Sequence, residues 1–186
     1  MDIEIDKQVL SLSMRFYARA LMYPYDELTH ELQHVFREME KCLTSDADNT
    51  LAAKALDVIN FYQGEDMITL QSEFVRLFTP RDEQSPFISL HIQDLNPEVP
   101  IKELLRKLEE DPLFAEMGDE PELAPYIMEH FSSMLEYDED ERIEAFYETY
   151  LKTSLNKLAK EIYDGTTLNF YKEFAKGLDE LVQLVG

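Results

Sequence analysis

The sequence predicts an all-α protein, a single bundle of about seven or eight helices spanning residues 1–186. Three observations predict it. Apolar residues recur at i, i+3, i+4 and i+7 through most of the chain, the period of a helix with one buried stripe. No segment alternates with period two for long enough to make a strand. The chain holds only five glycines, too few for the many tight turns of a β-sandwich. A hydrophobic share of 45% is ordinary for a folded core, and 186 residues suit one domain.

The elements follow in order. A first helix carries Val9, Leu12, Phe16, Ala20 and Leu21 on one stripe and ends at Tyr23-Pro24, because a residue before proline is pushed out of the helical region. A second begins near Asp26, a fitting N-cap, and displays Leu28, Leu32, Val35, Phe36 and Met39. Residues 44–49 are polar enough to read as a linker, one that helix exchange between two copies could use as a hinge. A third helix runs from about Leu51 to Tyr62, with Gly64 at its exit. Leu70, Phe74, Leu77 and Phe78 define a fourth, which Pro80 stops.

Residues 80–99 read as an irregular loop punctuated by Pro80, Pro86 and Pro97, and residues 111–122 as a second. Between them a short helix from Pro100 to Glu110 shows Ile101, Leu104, Leu105 and Leu108. A helix from near Leu123 to Tyr137 comes next. After the acidic run Asp138–Glu141, a long helix presents Ile143, Phe146, Tyr147, Tyr150, Leu151, Leu155, Leu158 and Ile162. Gly165 breaks it. Phe170, Phe174, Leu178, Leu181 and Val185 define the last.

Charge narrows the function classes. With 39 acidic against 17 basic residues, the formal net charge is −22. Nucleic acid and anionic lipid are repelled by such a chain, whereas a basic partner suits it. The excess is uneven: residues 103–148 hold sixteen acidic side chains against Arg106, Lys107 and Arg142. That concentration suits a groove receiving a cationic peptide. Cys42 is the only cysteine, so neither an internal disulfide nor a thiolate metal cluster can form. The stretch MDIEIDKQVL has no basic n-region and no apolar h-region, and no apolar run nears the roughly 18 residues that span a bilayer. The reading is a soluble cytoplasmic protein without stable membrane insertion, either monomer or dimer.

His30-Glu31-Leu32-Gln33-His34 spells H-E-x-x-H, in which two histidines at i, i+4 hold zinc and the glutamate acts as base. Its setting argues against that chemistry. At about 100° per residue, the apolar positions of this helix share one stripe and both histidines fall on the opposite side. No helix bearing a third ligand follows. There is no G-x-S-x-G, phosphate loop, G-x-G-x-x-G or Cys/His pair at nucleophilic spacing, so neither a catalytic residue nor a cofactor is expected, and nucleotide binding has no glycine loop to support it.

Three stretches together resemble one family, the NarJ/TorD/DmsD chaperones that assemble molybdenum-containing oxidoreductases, and are closest to its NarJ-like members. Leu21-Met-Tyr-Pro-Tyr-Asp-Glu-Leu28 is similar to the family's L-x-Y-P-x-x-x-L at the junction of the first two helices. Leu70-Gln-Ser-Glu-Phe-Val-Arg-Leu-Phe78, then Ser85-Pro-Phe-Ile-Ser-Leu-His91, resembles L-Q-x-x-Y-V-x-x-F followed by S-L-Y-L-T-x-H. Pro121-Glu-Leu-Ala-Pro-Tyr-Ile-Met-Glu129 resembles P-D-H-L-P-x-x-L-E. The likeness covers roughly residues 10 to 160. Leu123 departs from the usual histidine and Glu122 from the usual aspartate, and the Gly/Arg-rich segment after the loop histidine is missing.

The resemblance implies a chaperone without catalysis. Such a protein binds the N-terminal, twin-arginine-like segment of an apo catalytic subunit and holds it until the molybdopterin cofactor is inserted. Carried over by position, the peptide-binding residues would be Tyr23, Phe74, Phe78, Phe87, Ser89, His91, Glu122 and Glu129, with Pro24 ending a helix. Phe74 and Phe78 lie on an apolar stripe and suit the core. Ser89 and His91 lie on the first irregular loop, with no packing role evident, and suit contact. Two other readings compete: an acidic helical adaptor for another basic or amphipathic partner, and a zinc hydrolase using His30, Glu31 and His34.

Overall fold

A computed structural model describes residues 5–115, 120–137 and 140–185. Within them the protein is all-α, with no strand and one isolated antiparallel bridge, His91 to Leu123. The helices are α1 (Lys7–Ala20), α2 (Leu28–Glu40), α3 (Asp46–Gln63), α4 (Met67–Phe78), α5 (Ile92–Leu95), α6 (Ile101–Glu109), α7 (Pro112–Ala115), α8 (Ala124–Tyr137), α9 (Asp140–Phe146), α10 (Lys152–Gly165) and α11 (Asn169–Val185). A π-helical segment, Tyr147–Leu151, joins α9 to α10 without a break. None of these helices is long and apolar enough to cross a membrane.

α1 is the central helix. It packs along α8 and touches α2, α3 and α11, while α11 packs on α10 and α3. Its burial is nearly all-round: Val9, Leu10, Met14, Phe16, Tyr17 and Leu21 are all enclosed. Small polar residues allow the close approach to α8. The Ser11 hydroxyl donates to the Ser132 carbonyl at 2.9 Å and the Ser132 hydroxyl donates to the Ser11 carbonyl at 2.9 Å, so two buried hydroxyls satisfy each other's backbones. An aromatic seam of Phe131, Phe146, Tyr147 and Tyr150 fills the space beneath α8, and Phe170, Tyr171 and Phe174 fill that beneath α11.

Several boundaries differ from the sequence reading. Residues 44–49 are no linker; α3 begins inside them. The Ser45 hydroxyl accepts the Asp48 N–H at 3.1 Å, the capping chemistry of a helix start. The Asp48 carboxylate in turn accepts the Thr44 N–H at 2.8 Å and the Asp6 N–H at 3.0 Å. Asp6 caps α1 through the Gln8 N–H. One buried aspartate thus ties together the starts of α1 and α3, which makes this segment a poor hinge for helix exchange. The loop 80–99 contains the single-turn α5, and α7 lies within 111–122. Asp26 does not cap α2; Glu27 takes that position, with no side-chain hydrogen bond.

Candidate functional site

The α1–α2 turn and α4 build the first part of the site. Pro24 ends α1 and is buried, and its carbonyl accepts the Gln71 side-chain N–H at 3.0 Å, which fixes the turn against α4. That places Tyr23, half exposed, edge-on to Phe74 with ring centroids 5.5 Å apart. Phe74 meets Phe78 at 4.8 Å and Phe78 meets the buried Tyr171 at 6.1 Å. The result is an aromatic ladder running from solvent to core. Phe78 is buried and Phe74 half-buried, as their apolar stripe requires.

A latch supports the loop that follows α4. Arg76 pairs with Glu73 and donates to the Gly165 carbonyl at 2.6 Å, and Thr166 donates to Glu73. Burial pulls the Glu73 carboxyl upward, but the Arg76 and Thr166 hydrogen bonds outweigh it and hold the group below the usual carboxylate range. Ser85 donates to the Arg76 carbonyl at 3.1 Å and the Ile88 N–H to the Leu77 carbonyl at 2.6 Å. Between those anchors Phe87 is exposed and has φ +22°, a strained backbone for a bulky side chain.

Ser89 and His91 have internal partners, unlike the free loop side chains the sequence suggests. The Ser89 hydroxyl donates to Asp94 at 2.7 Å and accepts the His91 N–H at 3.2 Å. The His91 ring sits between two acids: Nδ1 is 2.9 Å from Glu122, off the direction of a hydrogen bond, and Nε2 is 3.4 Å from Glu120. Backbone bonds fix this pairing, from the Ile92 N–H to the Glu122 carbonyl at 3.0 Å and from the Ala124 N–H to the Leu90 carbonyl at 2.7 Å. The local order Ser89–His91–Glu122 is thus a clamp between the loop and the start of α8. Both members of the acidic run that fall at positions 138 and 139 lie outside the described residues, as do those at 116 and 119.

Glu129 stands apart from that clamp. Buried on α8, it receives Arg19 at 3.3 Å and Arg15 at 3.5 Å, both from α1; Arg15 also reaches Glu136 at 3.4 Å. Arg15, Arg19 and Glu129, though not Glu136, line a cleft of about 310 Å³. α1 supplies Arg15, Ala18 and Arg19, the α1–α2 turn supplies Met22 and Tyr25, and the first turns of α8 supply Pro125, Tyr126 and Glu129. Glu31 of α2 completes it and accepts a hydrogen bond from Tyr25 at 2.5 Å. Burial first, then this bond, pushes the Tyr25 phenol up to about 12.

The cleft therefore joins the motif groups. Met22 and Tyr25 of the lining flank Tyr23 of the aromatic ladder in sequence, and Pro125 and Tyr126 of the lining follow Glu122 of the His91 clamp. Arg15, Arg19 and Tyr25 were not among the site residues expected from the sequence, and Glu31 entered only as the base of the zinc-hydrolase alternative. Helical periodicity could have put Arg15 and Arg19 on one face, but nothing in sequence pairs them with Glu129. His30 and His34 are both exposed on α2, with only Glu31 of that segment turned to the cleft. The chain matches no family model, no curated protein and no solved structure.

Proposed function

We propose that the chain is a cytoplasmic maturation chaperone of the NarJ/TorD/DmsD type, binding the N-terminal, twin-arginine-like segment of an apo molybdoenzyme catalytic subunit and holding that subunit until its cofactor is inserted. The observation that carries this reading is a convergence. Leu21–Leu28 and Pro121–Glu129, two of the stretches behind the resemblance, both contribute residues to one cleft, and the third carries Phe74 and Phe78, whose aromatic ladder ends at Tyr23, the chain neighbour of the lining Met22.

The physics suits a leader that offers arginines followed by an apolar helical stretch. The exposed Tyr23 ring, Phe74 beneath it and Met22 give that stretch an apolar seat. Burying about 300 Å² of apolar surface is worth roughly 7 kcal/mol gross. An exposed arginine–carboxylate pair adds only about 0.2–1 kcal/mol. Apolar contact therefore sets the affinity, and the charge of −22 sets encounter and selectivity. No step requires a cofactor on the chaperone itself.

Calorimetric titration with the N-terminal peptide of a molybdoenzyme catalytic subunit from the same organism tests the proposal. One-to-one binding, weakened by Tyr23→Ala and preferred over an unrelated basic amphipathic peptide, supports it. Equal binding of the unrelated peptide would instead make the chain a general acidic adaptor.

A further inference from the structure

We propose that the cleft between α1, α2 and α8 is a subsite for one guanidinium group, with the Glu31 carboxylate as its partner and the Tyr25 and Tyr126 rings as its walls. The inference rests on the client-binding reading above and specifies what a single arginine of that client meets.

The charges in the cleft single out Glu31. Glu129 and Glu136 occupy Arg15 and Arg19. Among the described residues Glu31 has no cation within ion-pair distance, and the group that does reach it is the Tyr25 hydroxyl. That phenol keeps its proton, so it contributes a hydrogen bond but no charge. Arg15 and Arg19 balance Glu31 and Glu129 in the lining, and Glu136, which pairs with Arg15 from outside it, leaves the Glu31 charge uncompensated, inside a chain at −22. A cation is the complementary ligand of that carboxylate.

Shape favours guanidinium over ammonium. The cleft, at about 310 Å³, sits at the small end of ligand sites and suits one long side chain rather than a helix. Among the described residues no aromatic ring or cation stacks on either tyrosine face, although Arg19 lies close enough to act on the Tyr25 phenol, and a planar guanidinium stacks on such faces while forking onto a carboxylate. Met22, Ala18 and Pro125 line the path for its methylene stem. Arg19 uses only Nε on Glu129, so its outer nitrogens can meet carbonyl oxygens of the incoming chain. The glutamate of the H-E-x-x-H segment thus gains a role that needs neither histidine.

A peptide pair tests this in the full-length protein. One 20-residue peptide carries two adjacent arginines before an apolar helical stretch, and its companion carries citrulline at both positions. The wild type should bind the arginine form about tenfold tighter. Glu31→Gln, which keeps an acceptor for Tyr25 and should melt like the wild type, should bind both forms alike. Discrimination that persists in Glu31→Gln, or its absence in the wild type, would overturn the subsite and leave client binding standing. If neither peptide bound the wild type, the client reading would fall, and agmatine would judge the subsite alone. Aromatic NMR shifts of Tyr25 and Tyr126 that vanish in Glu31→Gln would support it; no shift at either ring would overturn it.

Discussion

The Tyr17 hydroxyl of α1 rests against the backbone of Gly177 in α11, so closely that a Cβ built on the glycine would lie 2.0 Å from the oxygen and 2.8 Å from Cζ. Glycine inside a helix ordinarily costs about 1 kcal/mol relative to alanine. Here the contact reverses that preference. Gly177→Ala should destabilise the protein by about 1–3 kcal/mol, because a close-packed core must shift to admit the methyl. Tyr17→Phe alone should be neutral or slightly stabilising, since the buried hydroxyl has no hydrogen-bond partner. In the double variant part of the Gly177→Ala loss should return, read as a rise in the urea midpoint. Additive effects would show that the two residues do not touch.

Asp48 predicts an acid-dependent term in stability. Burial works to raise its carboxyl, but hydrogen bonds from the Thr44 and Asp6 N–H groups and from the Thr44 and Ser45 hydroxyls lower it below its ordinary 3.8. A depressed folded value means the contribution is complete above the unfolded value and is lost as pH falls through the folded one. Asp48→Asn should therefore cost about 1–2 kcal/mol at neutral pH. The gap between variant and wild type, followed by urea denaturation, should narrow below pH 3.8. Glu73 has the same sign, so Glu73→Gln should show the same narrowing.

Helical period made the helices legible. Residues such as Leu70, Leu77, Phe170 and Phe174 are buried where a 3.6-residue stripe puts them. Capping chemistry was harder to see, because Asp48 is polar by type and buried by its partners; composition marks it as linker, and beside the local Thr44 and Ser45 its partner is the distant Asp6 N–H. The site divides similarly. Tyr23, Phe74 and Phe78 adjoin because a turn and a single helix carry them. His91 looked free because its acids, Glu120 and Glu122, arrive from 29 or more residues away through backbone pairing that periodicity does not record, and Ser89 because its partner Asp94 sits on α5, within the stretch that reads as irregular loop.

The Glu129 junction should matter to the fold as well as to the cleft. Its carboxylate is buried between two arginines that themselves reach solvent. Glu129→Gln keeps the shape but removes the charge, and its arginines can rehydrate. A loss of about 1–2 kcal/mol is expected, less than for a fully buried pair. Combining it with Arg19→Gln should cost less than the sum of the two single changes, because both act on one contact. Full additivity in chemical denaturation would count against the pairing.

Client association should respond to salt in one direction only. At −22 the chain attracts a basic leader over a distance that salt shortens, to about 8 Å at physiological strength. Raising salt should therefore slow association, while dissociation, set by apolar contact at Tyr23 and Phe74, should change little. Tyr23→Ala should do the converse, because its edge-to-face contact with Phe74 and its exposed ring form the apolar seat. Losing it should speed dissociation about five- to tenfold and leave the salt slope of association intact. Stopped-flow measurements at several salt concentrations separate the two effects. A Tyr23→Ala variant that changed only the association rate would place the apolar stretch somewhere other than this face.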